Sequence, residues 1–335
     1  MLTAVMCRVR LAVGALCISL VVSACAQHRD NKQLYLNLPV ERSHELLETP
    51  FFPQDTYQCG PASLATVLNS QGVEVSPQQL QALVYLPERK GSLQAEMLAA
   101  AAHYRRLAVR IPPSMDSLLL ELSSGNPVVV LQNLGFGLMP VWHYAVAVGY
   151  DLEKDEIYLR SGKDRRRAYG FKVFLKTWSR SNRWAMVVVS PGTVPVSATE
   201  KDYLAAASVF ERRKNHDAAL QAFESATRRW PDSYLAWAGT GNAAFSLARF
   251  SEAEQAYRQA LRLKPDRASI MNNLALTLAE RGCKQAALSV MECALNHAPD
   301  DANLAASYNE IKAFPAGPEG CQQFVCRAVG TAVSG

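Results

Sequence analysis

The chain has 335 residues, 49% of them apolar, and a formal charge of +5 at neutral pH. That length accommodates two ordinary domains, and the small basic surplus contains no long basic run, which gives no reason to invoke a nucleic acid partner. Beyond the first 24 residues no stretch reaches 18 consecutive apolar residues, so nothing after the N-terminal segment is expected to span a bilayer, and the remainder should be soluble apart from any anchor.

At the N-terminus, Arg8 and Arg10 precede a mostly apolar run from Leu11 to Val22, and Val22-Ser23-Ala24-Cys25 closes it with small residues. The run is too short to cross a membrane and has the shape of a secretory signal. Its end resembles a bacterial lipobox. That resemblance implies a signal peptide over 1–24, lipidation of Cys25, and anchoring of the chain to a membrane by its acyl groups. With Ala26 rather than aspartate behind the cysteine, it further implies a cell-envelope protein facing the periplasm, at the outer membrane. Losing Arg8 and Arg10 with the signal leaves a charge surplus of three in a mature chain of 311 residues. Residues 25–50 read as a tether, since Gln27-His28-Arg29-Asp30-Asn31-Lys32 shows no periodicity.

Residues 51–195 carry helical patterns first and strands later. Helices are expected over 59–71, 77–85, 93–104 and 115–124; Ser76-Pro77 starts the second, Ser92 caps the third, and Asp116 falls near the start of the fourth. Strands are expected over 107–111, 128–133, 143–150, 156–160 and 185–190, all rich in apolar, β-branched or aromatic residues. The polar segment Tyr150 to Glu156 reads as a hairpin turn. Helices segregated from a mostly antiparallel sheet make an α+β domain, with Cys59 on the helical side, His143 on the sheet side and a cleft between them.

The chemistry concentrates at two places. Gln54-Asp-Thr-Tyr-Gln-Cys59-Gly60-Pro61-Ala62 puts a cysteine at the mouth of a helix, since proline favours the first helical positions. Free N–H groups there favour an anion and are expected to lower the thiol pKa. Trp142-His143-Tyr144, 84 residues beyond the cysteine, opens the apolar run Ala145 to Tyr150. A helix-start cysteine with a strand-leading histidine is the layout of a nucleophile and its base. Against that stand a buried structural thiol and one half of a disulfide. Trp142 is expected to pack on the sheet, and Gly135-Phe136-Gly137 to form a flexible loop at the cleft edge rather than a phosphate loop, because no helix start follows it. His28, His44, His103, His216 and His297 read as surface or packing residues.

From about residue 197 the grammar changes to a repeat of 34: Pro231, Pro265 and Pro299 keep that interval, as do Ala219, Ala253 and Ala287, and Ala226, Ala260 and Ala294. Trp237 and Gly241 add to the middle unit. This is the tetratricopeptide pattern of paired helices, with repeats over 197–230, 231–264 and 265–298, a capping helix over 300–313, and a loosely ordered tail over 314–335. Cys283, Cys293, Cys321 and Cys326 can form two disulfides in an oxidising compartment and leave Cys59 unpaired. Four cysteines allow three connectivities, and a local Cys321–Cys326 link within the tail is one option. No spacing suggests a metal site, and no cofactor motif is present.

At Gln54 to Ala62 and at His143 to Tyr150 the chain resembles the bacteriocin-leader-processing peptidases, a papain-like cysteine peptidase family, and especially exported members joined to tetratricopeptide repeats. The resemblance implies Cys59 as nucleophile, His143 as general base, and Gln54 with the Cys59 N–H as the oxyanion hole. The sequence departs from the family twice. Gln54 lies five residues before the cysteine where the family has six, with Gln58 as a competitor. The family's histidine-orienting Asp-Pro is replaced by Leu159-Arg160-Ser161-Gly162, which leaves Ser161, Asp151 and Asp164 as candidates for that position.

Three functions follow as expectations. The first is a lipid-anchored cysteine peptidase acting on a peptide or protein, with a further protein partner on the repeats. The second is a weak or inactive peptidase-like domain serving protein–protein interaction. A transglutaminase or cell-wall amidase of related design shares the same Cys–His pair.

Overall fold

The structure is a computed structural model describing residues 38–54, 58–89, 91–315 and 321–326; the signal segment, Cys25 and most of the tether lie outside the described residues. The first domain is built on an antiparallel sheet of β1 (Ser43–Glu45), β2 (Leu107–Arg110), β3 (Val128–Asn133), β4 (Trp142–Asp151), β5 (Glu156–Ser161), β6 (Asp164–Gly170) and β7 (Ala185–Val189). Strand order is β2-β7-β3-β4-β5-β6, with the short β1 added against the distal end of β4. The β4–β5 turn forms where expected: Asp151 Oδ1 accepts the Glu153 and Lys154 N–H groups at 3.0 Å each.

Along β3 and β4, alternate side chains serve two cores, as the period of two requires. Val129, Leu131, Tyr144, Val146 and Val148 meet α1 (Cys59–Ser70), α2 (Pro77–Val84) and α3 (Gln94–His103). Val128, Val130, Ala145 and Ala147 meet α4 (Met115–Ser123) and α5 (Phe171–Ser179) on the other side. Helix α1 is buried on every side from Gly60 to Leu68, so its position over the sheet is fixed by packing rather than by its cap.

The cap expectations divide. Ser76 forms a capping box with Gln79, whereas Ser92 does not cap α3, whose N-cap is Leu93 without a side-chain bond. Helix α4 is capped by Ser114, with Asp116 in its first turn. Three elements lie outside the sequence expectations. Strand β1 has three residues, and β6 reads Asp-Arg-Arg-Arg-Ala-Tyr-Gly, an exposed edge strand with no apolar alternation to reveal it. Helix α5 did carry a signal: Phe171, Phe174 and Trp178 recur on one face and are buried.

The repeat region pairs α6 (Glu200–Arg212) with α7 (His216–Arg229), α8 (Tyr234–Ser246) with α9 (Phe250–Leu263), and α10 (Ala268–Glu280) with α11 (Lys284–His297); α12 (Ala302–Ala313) covers the end. The periodic alanines are all fully buried. Gly239 lies against the Phe223 ring and Gly241 against the Tyr257 ring, where an added Cβ would come within 2.4 and 2.5 Å of ring carbons respectively. The two domains share packing. Buried Glu121 accepts from Ser197 N–H at 2.7 Å and Ser197 Oγ at 2.6 Å, and Tyr203 Oη donates to the Pro191 carbonyl at 3.1 Å.

The cysteines pair as Cys283–Cys321 and Cys293–Cys326, which rules out the local Cys321–Cys326 link. The spacing accommodates two bridges between helix and tail. Ten helical residues separate Cys283 from Cys293, a rise of about 15 Å, and an extended strand of five residues from Cys321 to Cys326 spans about 16 Å. The tail segment 321–326 therefore lies along α11, and the Arg258 guanidinium adds a bond to the Gln322 carbonyl at 2.7 Å.

Replacing Gly241 by alanine should destabilise the protein by about 1–3 kcal/mol, because the ring of Tyr257 is buried and has no room to retreat. Equilibrium urea unfolding checks this; an unchanged midpoint would show that the helix pair is not in contact there.

Candidate active site

The N-terminus of α1 and the start of β4 meet at a cleft of about 1280 Å³ whose walls include Gln54, Cys59, His143, Gly162, Leu93 and Trp142. Cys59 is the first residue of α1, is half-buried and is the free cysteine among the described residues. The tight approach of Gly60 to the 91–93 loop fixes its place: a Cβ on Gly60 would sit 2.2 Å from Ser92 Oγ. Ser92 is thus a cleft-wall residue, and its carbonyl accepts from Tyr144 Oη at 3.3 Å. The Tyr144 main-chain N–H is among the groups that favour the Cys59 thiolate, so the sulfur lies near the backbone of β4 at the residue after His143.

The ionisation of the pair differs from the expectation for a helix-start thiol. Burial pushes the Cys59 thiol above its ordinary pKa, although the main-chain N–H groups of Tyr144, Gly60 and Cys59 pull the other way. Desolvation here outweighs the anion-favouring helix end. Burial likewise lowers His143 to about 4, and the Arg167 guanidinium adds repulsion to the imidazolium. At neutral pH the pair is a neutral thiol and a neutral imidazole.

Of the three candidates for orienting His143, the structure brings one to it. His143 Nε2 and Ser161 Oγ are 2.9 Å apart, and Ser161 is buried at the end of β5. Asp151 is at the opposite end of β4, eight residues from His143, with its carboxylate bonded to Lys154 Nζ at 2.7 Å. Asp164 is exposed, and its carboxylate pairs with Arg167 at 3.3 Å. An imidazole that donates from Nε2 to Ser161 keeps its lone pair on Nδ1, the nitrogen then left to act as a base.

Gln54 is buried and tied twice to the β5–β6 turn. Its N–H donates to the Gly162 carbonyl at 3.0 Å, and its Oε1 accepts the Gly162 N–H at 3.3 Å. The second bond identifies the oxygen and leaves the Nε2 hydrogens as the donors of a side chain that lines the cleft. Gln58, the competitor, is the N-cap residue of α1 and makes no side-chain cap bond.

Trp142 is 53% exposed and lines the cleft, rather than packing on the sheet. The Gly135-containing loop is tied down: Asn133 Oδ1 accepts the Gly135 and Val141 N–H groups at 3.0 and 2.9 Å, and the Arg180 guanidinium donates to the Asn133 and Gly135 carbonyls. Lys163, from the β5–β6 turn, and Arg180, Ser181 and Asn182, from the segment after α5, also face the cleft; none of them lies in an element expected from the sequence. In the repeats, Asn242 Oδ1 accepts from Tyr257 Oη at 2.9 Å and Asn273 Nδ2 at 3.1 Å, beside a depression of about 200 Å³. Cys293, His297 and Cys326 bring their ligand atoms within 4.8 Å of one another, but both sulfurs are joined in the disulfide. Among the described residues no helix is long and apolar enough to cross a membrane.

Comparison with known proteins agrees with this architecture. Residues 46–186 match the Peptidase_C39 like family, and residues 204–268 and 240–302 match the tetratricopeptide repeat. The chain thus carries a C39-like peptidase domain followed by tetratricopeptide repeats. It is similar to the peroxisomal targeting signal receptor of Saccharomyces cerevisiae, 34% identical over 110 residues that make up 30% of this chain and 18% of that one; the chain spans less than a fifth of that relative's length. Among solved structures it is similar to a C39-like peptidase from Bacillus anthracis, with 18% identity, 45% of this chain and 98% of that one covered, and a TM-score of 0.38. It is also similar to the second tetratricopeptide domain of human RPAP3 in complex with an HSP70 peptide, with 18% identity, 34% and 92% covered, and a TM-score of 0.32.

Two expectations follow from the ionisation. Between pH 4 and 6.5 the unfolded chain binds a proton at residue 143 that the folded chain refuses, so stability rises with pH through that window. Urea unfolding at pH 4.5 and 7 should show that rise shrink by about 2–3 kcal/mol in a His143→Gln chain; an equal rise in both chains would contradict the lowered pKa. Alkylation of Cys59 by iodoacetamide should keep accelerating above pH 9. A rate already level at pH 7 would mean a preformed thiolate.

Proposed function

We propose that this chain is a lipid-anchored cysteine peptidase that cleaves a peptide or another amide, with the repeats holding a substrate or partner protein. The observation that carries the reading is the convergence of Cys59, His143 and Gln54 on one cleft, with His143 Nε2 bonded to Ser161.

The neutral resting pair sets the order of events. As the Cys59 sulfur attacks the carbonyl carbon, its proton moves to His143 Nδ1, and the C=O becomes an oxyanion received by the Gln54 amide and the Cys59 N–H. The imidazolium then gives its proton to the leaving amine as the C–N bond breaks. Water, deprotonated by the same nitrogen, releases the acid product and restores the thiol. A histidine held near pKa 4 makes the imidazolium about 3 kcal/mol costlier than in water. Ser161 lacks the negative charge that would repay this, so turnover is expected to be slow unless bound substrate strengthens the pair.

The second reading, a binding module that keeps the fold without efficient catalysis, draws on the same observation of a neutral pair without a carboxylate. The transglutaminase and amidase readings use the same residues and differ in the acyl acceptor or the amide chosen. We assign the chain to the cell envelope, facing the periplasm at the outer membrane, on the strength of the 1–24 signal pattern and Cys25; metabolic labelling with a fatty acid should be lost in Cys25→Ser.

Activity-based labelling and hydrolysis of a peptide library separate the readings. Cys59→Ala should abolish both, and His143→Ala should reduce both by at least 100-fold. Gln54→Ala should cut turnover by about 100- to 1,000-fold. Ser161→Asp should raise the pH at which His143 titrates and accelerate turnover. Wild-type protein that neither labels nor turns over, while its repeats still retain a peptide, would favour the binding module.

A further inference from the structure

The connection between β3 and β4 is a raised apolar tip. Thirteen large hydrophobic residues are exposed among the described residues, and six of them fall between 134 and 142: Leu134, Phe136, Leu138, Met139, Val141 and Trp142. Contiguous exposed apolar surface on a soluble domain signals a partner. The tip is also held in shape, since Asn133 Oδ1 and the Arg180 guanidinium satisfy its backbone from within.

We propose that this tip enters the surface of an anionic bilayer, so that the cleft works against membrane-associated substrate. This rests on the reading of Cys25 as the lipidated residue. Three observations select a bilayer over a peptide. First, the tip is convex: Leu138 is 92% exposed, and Leu134, Phe136, Leu138 and Met139 are not among the cleft-lining residues. A protruding leucine suits a fluid apolar phase better than a shaped pocket. Second, the flank is basic. Lys163 and Arg180 line the cleft beside Val141 and Trp142, and a lysine or arginine near an anionic leaflet is attracted to it. An indole at the base of an apolar tip also fits the headgroup level, where tryptophan collects. Third, the chain before the described residues is long enough. Thirteen residues, 25–37, separate the anchoring position from the first described residue, and at full extension they span up to about 45 Å, against about 30 Å for the length of β4 between the β1 end and the tip. Acyl groups at Cys25 attach the chain without setting how the domain faces the bilayer, and a second contact at the tip sets it.

The test uses the mature lipidated chain in vesicles of phosphatidylethanolamine and phosphatidylglycerol with dibrominated acyl chains. The protein has five tryptophans; Trp142 is the exposed one, with Trp178 and Trp184 buried and Trp230 and Trp237 intermediate. Bromine quenching of tryptophan emission should be at least threefold larger in wild type than in Trp142→Phe, which removes the reporter. It should fall to the same low level in Leu138→Asp, which keeps the reporter but not the tip. A fully exposed position tolerates that change, and circular dichroism checks the fold.

Flotation distinguishes the two readings. Protein that floats with vesicles but is quenched no more than Trp142→Phe overturns the tip proposal and leaves the anchor standing. Quenching and flotation that persist in unlipidated Cys25→Ser keep the tip and show that it binds without the anchor; wild-type protein that neither floats nor is quenched removes both. Quenching that persists in Leu138→Asp overturns the tip proposal. So does a tenfold loss of Cys59 labelling by an electrophilic peptide in vesicle-free Leu138→Asp, because the tip would then belong to the substrate.

Discussion

The site depends on one packing contact, that of the first turn of α1 against the start of β4. Everything along α1 from Gly60 to Leu68 is buried, and Gly60 admits Ser92 so closely that a methyl group there would collide. The helix is held from sliding or rolling, so the sulfur at its first residue stays near the Tyr144 N–H of β4. The sequence separates Cys59 from His143 by 84 residues; the hydrophobic core behind them removes that separation. Shape, more than local charge, assembles the pair.

The same burial sets the electrostatics. The Cys59 and Gly60 N–H groups of the helix start, with that of Tyr144 on β4, favour a thiolate, yet desolvation is the larger effect for both partners, and it acts in opposite directions on an acid and a base. The outcome is a pair that rests uncharged. Proton transfer then belongs to the reaction rather than to the ground state, and the group opposite the imidazole decides how easily it occurs. Here that group is a serine hydroxyl, which sets ring orientation and tautomer without offering charge.

Much of this arrangement was legible beforehand, for identifiable reasons. Apolar periodicity reported the helices and central strands because those elements face a core on one or both sides, and α1, β3 and β4 were found within one residue at either end. The interval of 34 reported the repeats because helix pairs stacked on copies of themselves must keep alanine or glycine where Phe223 and Tyr257 press. Strand β6 stayed hidden because an edge strand of three arginines buries nothing, and with it went Lys163 and the turn that holds Gln54. Cystine connectivity was illegible because it depends on the direction in which the tail lies along α11, which no local pattern reports. Trp142 misled because a tryptophan opening an apolar strand normally packs, whereas here it belongs to an exposed rim. The thiol pKa misled because helix position is visible in sequence and burial of the whole turn is not.

The most direct test of the central claim is the protonation state of His143 in the folded protein, read by nitrogen-15 NMR of its ring. The ring should be neutral at pH 7, protonated at Nε2 and bare at Nδ1, and should take up a second proton only near pH 4. A ring protonated on both nitrogens at pH 7, or a neutral ring carrying its proton on Nδ1, would contradict it.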